Sequence, residues 1–251
     1  MTDGTGRRFR PTLWATVFAV PAFLILAGLG TWQLQRLAWK TDLIAERQAR
    51  SQGPAIALPR VIEDPEALEF TLVEVTGIFL HDKEMHLGAR TRRGNVGFDV
   101  VTPLRLEDGR GLLVDRGWVP PERRDPASRP QGQIEGPVKL RGLIRTGGWK
   151  GYDFVRPENK PEEGFYFWLD LPDMAARAGL RNPVTEVYLA AGPEENPGGF
   201  PLGGQTRIEI PNDHLEYAIT WYALALSLAV IYFLFHYRRE DNTAEAGTPH
   251  D

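Results

Sequence analysis

The stretch that decides the fold is residues 13–34, LWATVFAVPAFLILAGLGTWQL, in which no side chain carries a formal charge. A helix of this length crosses a hydrocarbon core, which requires about 20 residues. Arginines at positions 7, 8 and 10 precede it, so a secretory signal peptide is the alternative interpretation. The apolar run is longer than that of a typical signal peptide, and no clean A-x-A cleavage site follows. The pattern therefore favours a transmembrane helix over residues 13–35.

A second apolar stretch, residues 214–237, predicts a second transmembrane helix near the other end of the chain. Glu216 is its only formal charge, and aromatic residues lie at both of its ends, as is typical of membrane interfaces. Arg238 and Arg239 follow it directly, whereas residues 208–214 contain no Lys or Arg. By the positive-inside rule the C-terminal side is cytoplasmic.

Two spans with a cytoplasmic C-terminus require a cytoplasmic N-terminus as well. We therefore expect a cytoplasmic segment at 1–12, a periplasmic domain at 36–213 and a cytoplasmic tail at 238–251. The lipid bilayer is accordingly an expected partner.

The segment between the two spans has a β-rich pattern. A polar helix over 36–50 leads out of the first span and ends at Gly53-Pro54. Strand-like segments rich in β-branched and aromatic residues follow at 69–80, 84–90, 96–106, 110–119, 137–145 and 184–191. The sequence Glu107-Asp108-Gly109 predicts a hairpin turn, and residues 172–179 predict a short helix. The expected fold class is a membrane protein whose two transmembrane helices flank a mostly β (α+β) periplasmic domain, built as a small antiparallel sheet or partial barrel.

Composition excludes several functions. The 251 residues contain no Cys, which excludes disulfides, thiolate catalysis and Cys-ligated metal sites. The net charge of −4 gives no basic field for nucleic acid, so we expect no nucleic-acid partner. No catalytic motif occurs, and we expect the chain not to be an enzyme. His81 and His86 lie five residues apart, on opposite faces of a strand, and we interpret them as surface residues of a hairpin.

His214 is the histidine that points to a ligand. Asp213 as N-cap and Glu216 three residues later predict a capping box, which makes His214 the first helical residue. A helix N-terminus favours the neutral, metal-binding imidazole and suits anionic groups such as haem propionates. The face below His214 contains Ala218, Trp221, Ala225, Leu228, Ala229 and Tyr232. Its small residues leave a groove in which a flat apolar macrocycle fits.

An alternative interpretation of the same face is helix packing. Small residues at this spacing are typical of two packed membrane helices, and the first span offers Ala and Gly in return. A lone histidine at a membrane interface often serves only as a hydrogen-bonding group. The residues alone leave both interpretations open.

Five sequence blocks resemble the surfeit-locus family of cytochrome c oxidase assembly factors. GTWQLQRLAWK at 30–40 and NDHLEYAITWYALA at 212–225 flank the domain. Between them VGFDVVTPL at 96–104, LLVDRGWVP at 112–120 and FYFWLD at 165–170 follow in the family's order. The resemblance extends from about residue 10 to residue 240.

The resemblance implies a function and a partner set. Members help to build aa3-type oxidases by binding haem a, transiently, and assisting its insertion into oxidase subunit one; haem a synthase is a further expected partner. It also implies a bacterial inner (cell) membrane location. A non-haem membrane scaffold that stabilises oxidase subunits or respiratory complexes is the alternative.

The resemblance also implies site residues. It makes His214 the ligand of the haem iron, with Tyr217 and Trp221 in the same motif. The helix face adds Ala218 and Ala225, and the first motif adds Trp32 and Arg36, the latter as a propionate partner. In the LLVDRGWVP block, Arg116, Gly117 and Trp118 have an expected structural role, Gly117 through its backbone and Trp118 through core packing.

Overall fold

The computed structural model describes residues 7–208 and 210–239, which form two compact units: a helix pair, and a β domain that begins at Ile44. The predicted cytoplasmic segments 1–12 and 238–251 extend beyond the described residues. Two long apolar helices flank a β-rich domain, and the predicted fold class is thereby confirmed.

The helix pair consists of α1 (Leu13–Gln52) and α3 (His214–His236). Each contains an 18-residue window of mean hydropathy 2.0, of which only 6% in α1 and 11% in α3 is buried. Because these windows are exposed, the helices are not core helices, and both are long and apolar enough to cross a membrane. The polar part of α1 continues without interruption to Gln52, as the sequence predicts.

The two helices are antiparallel. Thr16, near the start of α1, hydrogen-bonds Tyr232, near the end of α3, and Asn212 just before α3 hydrogen-bonds Thr41. At the first of these ends the sequence predicted no strands, but β1 (Arg7–Phe9) pairs with β10 (Tyr237–Arg239). The segments that precede α1 and follow α3 therefore lie at the same end of the pair.

The β domain contains eight strands and one short helix. The strands are β2 (Ile56–Ala57), β3 (Leu72–Phe79), β4 (Met85–Arg92), β5 (Asn95–Leu106), β6 (Gly111–Val119), β7 (Pro137–Arg145), β8 (Phe165–Tyr166) and β9 (Tyr188–Ala191), and the helix is α2 (Leu171–Arg177). The six predicted strands correspond to β3, β4, β5, β6, β7 and β9, and the predicted helix to α2. The two-residue strands β2 and β8 are too short to leave a periodic signal.

The sheet closes on itself as a five-stranded barrel in the order β3-β7-β9-β6-β5, because β3 pairs with β7 along its length and with β5 at its end. The strands are not all antiparallel: β6 pairs with β9, β4 with β8 and β2 with β3 in parallel. Gly77 permits the closure, since a Cβ there would lie 2.5 Å from the Arg105 carbonyl oxygen.

The barrel has two hydrophobic cores. Alternate residues of β3 are buried, as expected for a strand with one face inward. The inner core comprises Leu58, Val73, Val75, Phe79, Leu104, Leu106, Leu112, Val114, Ile144, Val184, Val187 and Leu189. The outer core, where α2 covers the sheet, comprises Met85, Leu87, Val101, Leu113, Tyr166, Leu169, Leu171, Met174, Ala178, Tyr188 and Ala190. Strand β6 contributes to both cores, which explains why nearly all its residues are buried.

Candidate functional site

His214 is the first residue of α3 and faces Gln33 of α1. The Nδ1 atom of His214 lies 2.6 Å from Oε1 of Gln33. Gln33 is 8% exposed within the helix pair, while His214 is half-buried. The contact joins residues 181 positions apart in the sequence and fixes the orientation of the imidazole ring.

This hydrogen bond selects one form of the imidazole. The side-chain carbonyl oxygen of Gln33 only accepts, so Nδ1 of His214 carries the proton and donates it. In the neutral ring, Nε2 then presents a lone pair. Metal-ligating histidines are usually held in this way, with the second ring nitrogen donating to a carbonyl or carboxylate. The pair is therefore arranged for ligation through Nε2.

The predicted capping box is not formed. Asp213 is the residue before α3, but its side chain makes no capping hydrogen bond. Its backbone has φ −91° and ψ 9°, away from the extended conformation from which an N-cap side chain reaches the first turn. Only its carbonyl oxygen takes part, accepting from the Tyr217 N–H at 3.3 Å. His214 is nonetheless the first helical residue, as predicted.

The face of α3 below His214 is packed within the helix pair. Ala218 is 1% exposed and Ala225 is 3% exposed. On the opposing helix, a Cβ at Gly30 would lie 3.0 Å from the Tyr222 ring, whose hydroxyl lies 2.9 Å from Thr31 Oγ1. The small residues of this face thus allow close approach of the two helices, in agreement with the packing interpretation.

The remaining predicted site residues lie outside this packed face. Trp32 is 49% exposed and Tyr217 is 56% exposed, while Trp221 is half-buried. The Arg36 guanidinium lies 4.6 Å from the centre of the Trp39 ring. None of these side chains hydrogen-bonds His214 among the described residues, so the contact that orients the imidazole comes from Gln33 alone. The sequence signal for Gln33 is an amide side chain within an otherwise apolar span.

His236, at the other end of α3, provides a comparison. Its Nδ1 also donates to a carbonyl, that of Tyr232 at 2.7 Å, and within the described residues its Nε2 has no hydrogen-bond partner. However, His236 is 1% exposed and is enclosed by Phe9, Tyr232 and Phe235. A large ligand has access to the half-buried His214 and not to His236.

The donor set fits a haem. A neutral imidazole with a fixed tautomer is the usual axial ligand of haem iron. Exposed aromatic surface on both helices, at Trp32 and Tyr217, suits an apolar macrocycle, and Arg36 carries a charge complementary to a propionate. These residues belong to one compact unit.

The LLVDRGWVP block at residues 112–120 has the expected structural role. Gly117 has φ +111°, and a Cβ there would lie 2.0 Å from the Leu202 carbonyl oxygen. Trp118 is 7% exposed and pairs through its backbone with Leu202. Arg116 is 1% exposed, with its guanidinium 4.6 Å from the centre of the Phe79 ring. Burial lowers the pKa of Arg116 to about 10.

The interpretation of His81 and His86 as surface residues of a hairpin is wrong. His81 opens a 3₁₀ turn and is half-buried, and its Nε2 donates to the Ile134 carbonyl at 2.9 Å. His86 on β4 is 9% exposed, and its Nε2 donates to the Arg124 carbonyl at 3.0 Å. Both accepting carbonyls belong to the loop between β6 and β7. That loop covers the two histidines, which strand periodicity does not foresee.

A buried ion pair joins the same loop to Glu84, the residue before β4. Glu84 and Arg129 form a salt bridge in which the side chains are 2% and 3% exposed. Burial opposes ionisation of Glu84, but hydrogen bonds from His86 and Arg129 outweigh it and lower the pKa of Glu84. The loop is therefore held against the start of β4 by an ion pair as well as by a hydrogen bond.

Comparison with known proteins gives one result. The model of the SURF1 family matches residues 20–226. A SURF1-like protein of Monosiga brevicollis is 40% identical over 233 residues, covering 88% of this chain and 86% of the relative. Surfeit locus protein 1 of Rattus norvegicus is 38% identical over 242 residues (90% and 76%), and that of Homo sapiens 37% identical over 222 residues (82% and 72%). The matched region contains the barrel and the greater part of both apolar helices, and the chain belongs to the SURF1 family.

Proposed function

We propose that this chain is an assembly factor for an aa3-type cytochrome c oxidase, which binds haem a through His214 and assists its insertion into oxidase subunit one. The observation that carries the proposal is the hydrogen bond from His214 Nδ1 to Gln33 Oε1, at 2.6 Å. It holds the imidazole in the tautomer whose Nε2 ligates iron.

The chain's own residues would hold the haem from one side. His214 would supply a nitrogen ligand to the iron, Gln33 would orient its ring, and Arg36 would supply a positive charge for a propionate. A single protein ligand suits a carrier, because the haem must be retained in transit and released to the receiving subunit. Bound haem a supplies the redox centre of the oxidase, and the carrier itself is not an enzyme.

The proposed location follows from charge and topology. Arg238 and Arg239 follow Tyr237 just beyond the end of α3, and by the positive-inside rule both termini would lie in the cytoplasm of a bacterium and the β domain in the periplasm. The antiparallel helix pair, with both outer segments at one end, supports this arrangement. Oxidase subunit one and haem a synthase are the proposed protein partners.

A non-haem scaffold is the second candidate function. The observation that favours it is the burial of Ala218 and Ala225, at 1% and 3% exposure, which leaves that face of α3 to helix packing. A scaffold of this kind would stabilise oxidase subunits without cofactor chemistry. It requires neither the His214 tautomer nor its hydrogen bond to Gln33.

The test is the visible spectrum of the full-length protein, purified in detergent from cells that make haem a. We expect a haem a Soret band in the wild type, its loss in His214→Ala and its recovery on addition of imidazole. His236→Ala is the matched control, because it removes the other histidine of α3 and should retain the band.

A second variant tests the orienting role of Gln33. Gln33→Leu removes the acceptor for His214 Nδ1 and should weaken haem affinity by roughly 10–100-fold, as is typical when the partner of a ligating histidine is removed. A wild-type protein without haem, from cells whose oxidase is loaded, would favour the scaffold. Loss of the band in His236→Ala but not in His214→Ala would show that His236, at the other end of α3, is the ligand.

A further inference from the structure

The β domain contains a cleft of about 750 Å³ whose lining is rich in arginine. Arg90, Arg92 and Arg93 line it from the β4–β5 hairpin, Arg145 from the end of β7, and Arg207 from the segment that follows the barrel. Asp99 and Asp115 also line it, from the blocks VGFDVVTPL and LLVDRGWVP. All of these residues belong to the β domain, and none takes part in the helix-pair site.

Local backbone features bring the arginines into the cleft. The pairing of β4 with β5 shifts register between Leu87 and Arg90, which marks a β-bulge, and Ala89 within it has φ +56°. Arg93 and Gly94 have φ +48° and +84°, as in the tight turn of a hairpin. Bulges of this kind re-aim side chains and often lie beside functional sites.

The opposite wall is held by a close backbone contact. Trp118 and Leu202 exchange two backbone hydrogen bonds, at 3.0 and 2.8 Å, and the chain then continues to Gln205 and Arg207. Only a glycine at 117 permits this approach, since a Cβ there would lie 2.0 Å from the Leu202 carbonyl oxygen. Arg92 Nε donates to Gln205 Oε1 at 3.1 Å, across the two walls.

Charge in the cleft is not balanced by its own residues. Arg90 pairs with Asp99 at 3.0 Å, and Arg145 pairs with Glu69 at 3.3 Å. Within the part of the chain that the structure describes, Arg92, Arg93 and Arg207 form no ion pair with a carboxylate. Five arginines and two aspartates give the cleft lining a formal charge of +3, or +2 when Glu69 beside Arg145 is included, in a chain whose net charge is −4.

We propose that this cleft binds a phosphate group, carried either by an anionic lipid headgroup or by a free phosphorylated compound. A ligand with a single carboxylate has one negative charge and two acceptor oxygens, too few for three guanidiniums that have no carboxylate partner in the protein. A phosphate group presents several acceptor oxygens and up to two negative charges, which match convergent arginine forks. The site is independent of haem binding at His214.

The experiment uses the full-length protein in an uncharged detergent with two probes. Inorganic phosphate is titrated by calorimetry, and retention of phosphatidylglycerol against phosphatidylcholine is measured by native mass spectrometry. The cleft variant is Arg93→Gln combined with Arg207→Gln. The matched control is Arg105→Gln combined with Arg181→Gln, two exposed arginines outside the cleft lining.

The cleft variant should bind at least about tenfold more weakly than the wild type, because it lacks two guanidiniums that hydrogen-bond the charged phosphate. The control should bind as the wild type does. Selective retention of phosphatidylglycerol identifies a lipid headgroup, and binding of phosphate without lipid preference identifies a soluble ligand. Failure of the wild type to bind either probe, or equal loss in both variants, overturns the proposal.

Discussion

The helix pair and the β barrel differ in what holds each of them together. In the helix pair the apolar surface stays exposed, and a few hydrogen bonds, such as those of Gln33 with His214 and Thr16 with Tyr232, join the helices. The barrel instead has two apolar cores, a closed sheet and a buried ion pair. Single substitutions should therefore cost several kcal/mol in the barrel and only fractions of one in the pair.

The largest effect is expected from Glu84→Gln. The variant leaves the Arg129 guanidinium, 3% exposed, without its counter-charge. Removing one partner of a buried ion pair typically costs about 3–5 kcal/mol. Thermal unfolding of the full-length protein in detergent, followed by near-UV circular dichroism, should show the loss.

The matched control is Glu163→Gln, whose partner Lys160 lies 3.6 Å away with both side chains more than half exposed. Exposed pairs contribute about 0–1 kcal/mol. Equal shifts in the two variants would mean that the Glu84 pair is not insulated from solvent, and the contrast between the two regions would weaken.

A second prediction concerns closure of the barrel. Gly77→Ala puts a Cβ 2.5 Å from the Arg105 carbonyl oxygen, where β3 meets β5. We expect a destabilisation of about 1–3 kcal/mol, the usual cost of overpacking. The control is Gly28→Ala in α1, where a Cβ meets nothing within 4 Å, and it should not destabilise the protein, because alanine favours a helix interior over glycine by about 0.8–1 kcal/mol. A neutral Gly77→Ala would show that β3 and β5 separate easily.

The same contrast explains how much of the fold could be predicted from the sequence. The length of an apolar stretch is a local property of the sequence, so both long helices could be predicted from it directly. Their content of β-branched and aromatic residues identified β3 and β6, each to within a few residues. Closure was not visible, because the pairing of β3 with β5 depends on strand geometry rather than on pattern. The parallel pairing of β6 with β9 was missed because a long connection that includes α2 separates the two strands.

Only part of the candidate site could be predicted from the sequence, for a related reason. His214 was singled out by its position at a helix start, which is local. Its partner Gln33 lies 181 residues away, and their contact depends on the rotation of two helices about their axes. His81 and His86 were placed at the surface because strand periodicity takes no account of the loop that covers them.

A third prediction concerns pH. Burial, and then the charge of Asp115, raise the pKa of Asp99 to about 7 despite Arg90, and burial raises the pKa of Asp115 to about 6. The folded protein thus retains protons that the unfolded chain, with ordinary Asp pKa values near 3.8, has released. Stability should therefore fall as pH rises from about 4 to about 7, at up to about 1.4 kcal/mol per pH unit for each retained proton.

Asp99→Asn should make this decline shallower by roughly 1–2 kcal/mol between pH 5 and pH 7, as measured by chemical denaturation at several pH values. Asp82→Asn, at an exposed aspartate, is the control and should leave the slope unchanged. An unaltered slope in Asp99→Asn would contradict the assignment of the proton to this pair.

The smallest effect is expected in the helix pair, at Tyr232. Thr16 Oγ1 donates to the Thr12 carbonyl, so the Tyr232 hydroxyl donates to Thr16 across 2.6 Å. Tyr232→Phe removes that bond and keeps the ring against His236. Hydrogen bonds between membrane helices average about 0.6 kcal/mol, because the separated helices also find partners.

A double-mutant cycle with Thr16→Val, in mixed micelles where the protein unfolds reversibly, measures the free energy of this hydrogen bond separately from the other effects of each substitution. Tyr217→Phe, at a residue that is 56% exposed, is the control. A coupling as large as the loss in Glu84→Gln would mean that polar contacts hold the helices as firmly as burial holds the barrel, and the difference between the two regions would not stand.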